Sequence, residues 1–331
     1  MKNILITGGA GFIGSHLVKH FVKKYKNYNI INIDNLTYAS NLSFLNEINT
    51  FENYSFVKAD ICNLKKIEEI FFKYKISDII HLAAESHVDN SIENASEFAK
   101  TNIIGTINLL ELSRNYWNNK KNNLFYHIST DEVFGTLSES GFFTENSKYD
   151  PHSPYSASKA SADHFVRAFY DTHKLPVILS NCSNNYGPNQ HKEKLIPTVI
   201  NSLINNTKIP IYGNGLNVRD WLYVEDHVEA IDLIFHKGIV GETYCIGGEN
   251  EIKNIDLIKM IIKEYDLTYY NKNSSIDLIS FVKDRLGHDF RYAIDISKIK
   301  NGLGWKPKTS ISKGLKKTLD WYLNDQRSYS W

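Results

Sequence analysis

Tyr155 and Lys159 lie four residues apart in the stretch Tyr155-Ser156-Ala157-Ser158-Lys159, a spacing that puts both side chains on one face of a helix. A lysine cation held there can lower the tyrosine pKa from its usual value of about 10. The resulting phenolate can take a hydroxyl proton while hydride leaves the carbon that bears it. That is alcohol oxidation without a metal. Taken alone such a pair is common on helix surfaces, so its neighbours carry the weight. Ser129-Thr130 end a predicted strand and can hold the same hydroxyl, and Asp131-Glu132 follow at once in Thr130-Asp131-Glu132-Val133-Phe134-Gly135. Neighbouring residues of a strand point to opposite faces, so two adjacent carboxylates share a site only where the strand ends and the chain turns. Held at different pKa values, such a pair can take a proton from one atom and give one to another. In isolation it would equally suit a solvated acidic turn.

Hydride needs an acceptor, and the N-terminal sequence carries a cradle for one. Gly8-Gly9-Ala10-Gly11-Phe12-Ile13-Gly14 follows a predicted strand at 3–7 and opens a predicted helix at 15–25. Glycines in that context allow the tight turn, the approach of backbone to a pyrophosphate and the packing of helix on strand, while the helix N-terminus favours negative charge. The second predicted strand ends at Asp34, about 20 residues beyond the loop, where a carboxylate can bond ribose hydroxyls and repels a 2′-phosphate. The expected cofactor is therefore NAD rather than NADP. Its contacts are expected at Gly8, Gly11, Phe12, Ile13 and Gly14 in the loop and at Asn35 and Thr37 beside Asp34. Further along the carboxyl edge of the sheet, Asp60 and Ile61 lie at the end of the third strand, and Leu82, Ala83 and Ala84 at the end of the fourth.

The elements that must position these groups read as βαβ units. Short apolar runs at 3–7, 29–33, 54–58, 78–83 and 124–129 alternate with helical patterns at 15–25, 97–116 and 155–173, and a further run follows at 176–179. The polar segment 117–123 reads as an exposed loop. Beyond Asn185 the alternation becomes irregular, with Tyr186-Gly187-Pro188 and Tyr212-Gly213-Asn214-Gly215 as turn signals. The fold class expected is α/β: a Rossmann-type doubly wound parallel sheet with a smaller C-terminal α/β substrate-binding domain. Residues 1–185 would form the NAD-binding domain with the catalytic residues and 186–331 mainly the substrate-binding one, the chain being free to cross back.

Composition narrows the partners. The 331 residues are 42% hydrophobic, enough to fill both cores, and 38 basic against 37 acidic residues leave a formal charge of +1, so no net field recruits nucleic acid or an anionic membrane. Cys62, Cys182 and Cys245 are too few and too scattered for a disulfide framework or a zinc site. No metal is expected. No apolar run approaches the ~18 residues of a membrane span, and Met1 leads straight into the first strand without room for a signal peptide. The expectation is a soluble, cytoplasmic protein.

Together the glycine loop, Asp34, Ser129-Thr130 and Tyr155/Lys159 resemble the extended short-chain dehydrogenase/reductase family, over essentially the whole chain. Within that family Thr130-Asp131-Glu132 matches the motif of the nucleotide-sugar 4,6-dehydratases residue for residue. The resemblance implies oxidation of a hexose at C4, abstraction of the C5 proton by ionised Glu132, donation by protonated Asp131 to the departing C6 hydroxyl, and return of hydride to C6. It implies cofactor contacts for Thr101, Asn185, Tyr155 and Lys159, and sugar contacts for Ser86, Thr130 and Asn184. Lys194, Leu195, Pro210, Tyr212, Arg219, Asn250, Arg285 and His288 resemble the nucleotide end of the enzymes acting on dTDP-glucose, with Tyr329 a looser match. Arg219 and Arg285 are candidates for the diphosphate, since a planar guanidinium makes paired charged hydrogen bonds; each could instead pair with nearby Asp220 or Asp284. Asn181 where many relatives have arginine, and Leu286 in place of a usual proline, are departures near the substrate end.

The resemblance also implies a homodimer in which helices 97–116 and 155–173 pair across a two-fold axis. Three alternatives stay open from the sequence. A dehydratase of UDP- or GDP-hexoses shares the chemistry, a nucleotide-sugar 4-epimerase has no use for the Asp131/Glu132 pair, and a non-catalytic NAD-binding regulator has no use for Tyr155 and Lys159.

Overall fold

The computed structural model describes residues 2–117, 122–269 and 275–325. Its strands are β1 Lys2–Thr7, β2 Tyr28–Asp34, β3 Tyr54–Lys58, β4 Asp78–His81, β5 Leu124–Thr130, β6 Val177–Cys182, β7 Asn184–Tyr186, β8 Ile209–Tyr212, β9 Val218–Tyr223, β10 Thr243–Ile246, β11 Glu251–Lys253 and β12 Ile279–Val282. Among the described residues they form a seven-stranded sheet in the order β10-β6-β5-β4-β1-β2-β3 and two small sheets, β11-β9-β7 and β12-β8. Every pair in the large sheet is parallel. Continuous apolar runs explain this: Ile4, Leu5 and Ile6 are all fully buried, as strands covered on both faces require. The expected Rossmann-type α/β sheet is the fold observed.

The helices are α1 Phe12–Lys24, α2 Leu64–Tyr74, α3 Val88–Glu93, α4 Ala95–Phe98, α5 Gly105–Tyr116, α6 Pro154–His173, α7 Leu195–Ile204, α8 Val224–Lys237, α9 Asn254–Tyr269, α10 Ser297–Leu303 and α11 Ile311–Asp325. Leu17, Val18 and Phe21 of α1 pack with Ile231, Ile234 and Phe235 of α8 on one face of the large sheet. Ile67 and Phe71 of α2, Leu109 and Leu110 of α5 and Val166 of α6 cover the other. Ile200 of α7, Leu257 of α9 and Leu319 of α11 share a further core with Tyr186 and Trp221. Helix α6 starts where it does because Ser153 and Ser156 form a reciprocal capping box with Pro154 in the first turn. No helix among the described residues is long and apolar enough to cross a membrane.

Two local readings need correction. The single helix expected at 97–116 is helical throughout but passes through a π stretch, Ala99–Ile104, before α5. The loop expected at 117–123 begins on a buried residue: Trp117 is 4% exposed and its indole N–H donates to the Ile76 carbonyl at 3.0 Å. The apolar ring finds a core pocket and its one donor is satisfied there, which overrides the polarity of the neighbouring segment. Residues 118–121 lie outside the described residues. The large sheet also recruits β10, and α8 with it, from well beyond residue 185.

Candidate active site

The order of the large sheet reverses between β4 and β1, and a cleft opens at the carboxyl ends of those strands, where such a switch leaves room for a ligand. Gly8 has φ 71°, and a Cβ on it would lie 2.8 Å from the Ala83 backbone. A Cβ on Gly14 would stand 2.1 Å from the Gly8 carbonyl oxygen, so the start of α1 closes on the loop only because both positions lack a side chain. Asp34 accepts hydrogen bonds from Ala10 N at 3.0 Å, Leu36 N at 2.8 Å and Ser40 Oγ at 2.8 Å. A carboxylate offers about four lone-pair sites, so one remains for a ligand hydroxyl. All the residues expected at the cofactor line this one cleft: the loop residues Gly8, Gly11, Phe12, Ile13 and Gly14, then Asp34, Asn35, Thr37, Asp60, Ile61, Leu82, Ala83, Ala84, Thr101 and Asn185, with Tyr155 and Lys159.

At the inner end of the cleft β5 stops at Thr130, which caps a short 3-10 turn, Asp131–Phe134; its Oγ1 accepts from Glu132 N at 3.3 Å. The turn sets Asp131 and Glu132 against the same cleft as Thr130, Tyr155 and Lys159. Their surroundings differ. Burial, then Glu132 and Asp220, push the Asp131 pKa well above the carboxylate range. Its Oδ1 accepts from Thr130 Oγ1 at 3.3 Å, while its Oδ2 is buried with no partner among the described residues. Burial also raises Glu132, but Lys194, Arg219 and Arg285 pull against it. Both carboxyls are raised, but cations oppose the rise strongly only at Glu132, and such unequal surroundings are what separate proton donor from proton acceptor.

The tyrosine departs from expectation. Burial, followed by the negative charge of Glu132, pushes the Tyr155 pKa well above 10, so the net direction is opposite to the lowering expected from Lys159. Burial lowers the Lys159 pKa instead, with Asp163 opposing, and its Nζ donates to the Ile128 carbonyl at 2.9 Å. Desolvation of the charged form is the largest cause for both groups, reinforced by acidic neighbours at Tyr155 and opposed by Asp163 at Lys159.

The expected substrate residues divide. Ser86, Thr130, Asn184 and Lys194 line the cleft, and Lys194 Nζ reaches the Ser86 carbonyl at 2.8 Å. Leu195 opens α7 beside Lys194, and Pro210 and Tyr212 of β8, Arg219 of β9, Asn250, Arg285 and His288 are not among the residues that line the cleft. The Arg285 backbone N donates to Asp284 Oδ1 at 2.8 Å, but its side chain pairs elsewhere: Nε and Nη2 bond the two Asp89 oxygens at 2.6 and 2.9 Å, with the guanidinium 5.2 Å from the Tyr212 ring centre. Arg219 does not pair with Asp220. It donates to the carbonyls of Val218 at 2.8 Å and Asp289 at 2.9 Å and stacks over Tyr292, while Asp220 accepts from Gly248 N and Asn250 N. His288 Nδ1 is 2.7 Å from Asp284 Oδ1. Tyr329 lies outside the described residues.

Two supporting residues escaped sequence reasoning. Asn102 holds Glu85 through its backbone N and O, at 2.8 and 3.0 Å, and reaches Ser158 Oγ at 2.8 Å, tying the end of β4 to α6 beside Lys159. Asp163, fully buried one turn beyond Lys159, accepts from Ser129 Oγ and Tyr149 OH at 2.8 Å each. Its place four residues after Lys159 was the available signal. Among the described residues no group of His, Cys, Asp and Glu is arranged to hold a metal ion.

Residues 5–318 match the family model described as GDP-mannose 4,6 dehydratase. The chain belongs to that family. This GDP-mannose 4,6 dehydratase family member is 50% identical to dTDP-glucose 4,6-dehydratase from Haemophilus influenzae, over 99% of this chain and 100% of that one. Its fold is similar to that of the Bacillus anthracis dTDP-glucose 4,6-dehydratase in complex with NAD, with a TM-score of 0.89 and 44% identity over 99% of each chain. It is also similar to the Streptomyces venezuelae dTDP-glucose 4,6-dehydratase with NAD and TYD bound, with a TM-score of 0.92 and 38% identity over 99% of each chain. The family membership covers both the glycine-loop half and the segments around Arg219 and Arg285.

Proposed function

We propose that this protein is an NAD-dependent hydro-lyase that converts dTDP-glucose to dTDP-4-keto-6-deoxyglucose. The observation that carries the reading is the pair Asp131 and Glu132, set in one cleft with Tyr155 and Lys159, both raised by burial but unequally placed, since cations oppose the rise at Glu132 while Glu132 and Asp220 add to it at Asp131. Relatives named for this reaction, 50% identical over nearly the full length, supply the nucleotide.

The cleft fits NAD: Gly8 and Gly14 leave backbone where a side chain would collide, and Asp34 keeps one acceptor site for a ribose hydroxyl. When bound, NAD supplies a cationic ring that accepts hydride from C4 and later returns it to C6. Tyr155 takes the C4 hydroxyl proton, with the Thr130 hydroxyl to orient the sugar. Since burial and Glu132 raise the proton affinity of Tyr155, its phenolate forms only with positive charge to compensate, and Lys159 is the protein's contribution. Oxidation at C4 makes the C5 proton acidic, and Glu132 removes it. Asp131 gives its proton to the C6 hydroxyl, which leaves as water; Glu132 then returns its proton to C5 as C6 is reduced, and the proton that Tyr155 took balances, through solvent, the one that Asp131 lost. Lys194, Arg219 and Arg285 favour the ionised form of Glu132 against the burial that raises its pKa and, with Tyr212, Asn250 and His288, form the nucleotide end.

Residues 1–185 serve mainly the cofactor and the chemistry, and 186–331 mainly the sugar nucleotide. The protein works as a homodimer in the cytoplasm. Partly exposed Ile104 and Tyr116 along the 95–116 helix and Phe165 on α6 support pairing through these helices, and sedimentation as a monomer at micromolar concentration would contradict it. The activity is tested with substrate deuterated at C4. A dehydratase delivers the label to C6 of a 4-keto-6-deoxy product, whereas an epimerase returns it to C4. Equal or better kcat/KM with UDP-glucose or GDP-mannose than with dTDP-glucose would overturn the choice of nucleotide.

A further inference from the structure

Strand β7 runs parallel to β9 with Asn185 opposite Leu222, and α8 begins directly after β9, so His227 in the first turn of α8 comes to stand against Asn185. His227 is fully buried and its Nδ1 is 2.8 Å from Asn185 Oδ1. Neither the catalytic nor the substrate groups use it. We infer that His227 is a positioning residue: it fixes the Asn185 side-chain amide so that oxygen, not nitrogen, is the atom offered to the ligand in the cofactor cleft. The inference rests on Asn185 being a cofactor contact.

The orientation of the amide follows from its other end. Asn185 Nδ2 lies 3.0 Å from the Ser183 carbonyl oxygen, which can only accept, and 3.4 Å from Cys182 Sγ. The amide nitrogen must therefore face Ser183, and its two hydrogens are directed at these two acceptors. The oxygen must then face His227, and an oxygen that only accepts requires the imidazole to donate. His227 is consequently the Nδ1–H tautomer, with the lone pair on Nε2, a buried atom without a partner among the described residues. Burial lowers the His227 pKa to about 3, so the ring stays neutral and its donor is permanent across the working pH range. It is neither an acid nor a switch.

A flipped amide would set N–H against the imidazole N–H and oxygen against the Ser183 oxygen, two mismatches in a buried place. The backbone is pinned as well, since Gln190 Nε2 donates to the Asn185 carbonyl at 2.8 Å. What Asn185 has left is the second lone pair of Oδ1. Asn185 thus presents a hydrogen-bond acceptor, suited to a ligand N–H such as a primary carboxamide, and rejects a ligand group that only accepts.

The test uses the full-length protein and three variants, with NAD affinity measured by calorimetry and imidazole tautomers by ¹⁵N NMR. His227→Asn keeps an N–H near the position of Nδ1 and should bind NAD within about twofold of the parent. His227→Leu removes the donor and should weaken NAD by about tenfold, as losing one oriented hydrogen bond predicts. The parent spectrum should contain an Nδ1–H imidazole whose signal alone is lost from both His227 variants, the other histidine signals being retained as the check that each variant is folded. Parent affinity in His227→Leu beside a loss in Asn185→Leu, or an Nε2–H tautomer for His227, would overturn the positioning role. Parent affinity in Asn185→Leu would overturn the cofactor contact itself, and the proposal with it.

Discussion

Asp131→Asn separates proton donation from everything else the cleft does. An amide has nearly the volume of a protonated carboxyl, and Asp131 is 1% exposed with a pKa raised by burial and by Glu132 and Asp220. A carboxyl whose folded pKa lies above its unfolded value holds its proton more tightly in the folded chain. It therefore costs stability as pH rises from the unfolded value through the folded one. Each tenfold change in proton affinity is worth about 1.4 kcal/mol, and the amide avoids that cost, so the variant should melt no lower than the parent at pH 7. Turnover is another matter. Removing one general acid costs about 10²–10⁴ in rate, equivalent to about 3–5 kcal/mol of barrier. The assay is turnover of dTDP-glucose in deuterated water, with recovered substrate and product examined by NMR. Glu132 remains able to remove the C5 proton, so recovered substrate should carry deuterium at C5 while the keto-deoxy product forms slowly. Product at the parent rate, or loss of C5 exchange along with elimination, would refute the division of labour between the two carboxyls. A melting point lowered by many degrees would show that Asp131 carries charge in the fold.

Gly14→Ala should abolish NAD binding, since its Cβ would meet backbone at 2.1 Å; calorimetry checks it, and an affinity near that of the parent would mean that the loop can move aside. Asp34→Ala should weaken NAD and relax discrimination against NADP, read as the ratio of the two affinities. Burial works to raise the Asp163 pKa, but His127, Lys159 and Ser129 hold it below the ordinary value, so its stabilisation is present above the unfolded pKa and is lost as pH falls through the lower folded one. Asp163→Asn should cost about 3–5 kcal/mol at pH 7, the range for breaking a buried charged partnership, and should flatten the acid side of the melting-temperature profile.

Glycine spacing, strand-end carboxylates and the Tyr155/Lys159 interval could be read directly because each depends on residues close in sequence and on geometry that βαβ units impose. The cleft gathers these groups as local pattern suggests. What escaped was set by partners distant in the chain. The Arg285 side chain finds Asp89 rather than its neighbour Asp284, and Trp117 finds Ile76 beneath a polar segment. The π stretch at Ala99–Ile104 keeps helical periodicity in outline while altering which side chains face inward, so no hydrophobic count detects it. The direction of the Tyr155 pKa could not be had from Lys159 alone, because burial, a property of the whole fold, is its largest cause.

Strand β10 has a consequence for how the molecule is made. It hydrogen-bonds along β6, the neighbour of the catalytic strand β5, from Thr243–Leu179 to Ile246–Cys182, yet it leaves the ribosome long after the glycine loop, Tyr155 and Lys159. Until then β6 is an open sheet edge and α1 lacks α8, against which Phe21 stacks edge-on to Phe235 at 5.7 Å. An open edge beside an uncovered apolar helix invites association with other chains. A fragment ending near residue 185 should therefore aggregate although it holds nearly every group of the chemistry, and fusion or truncation experiments should leave the chain intact through at least Ile246.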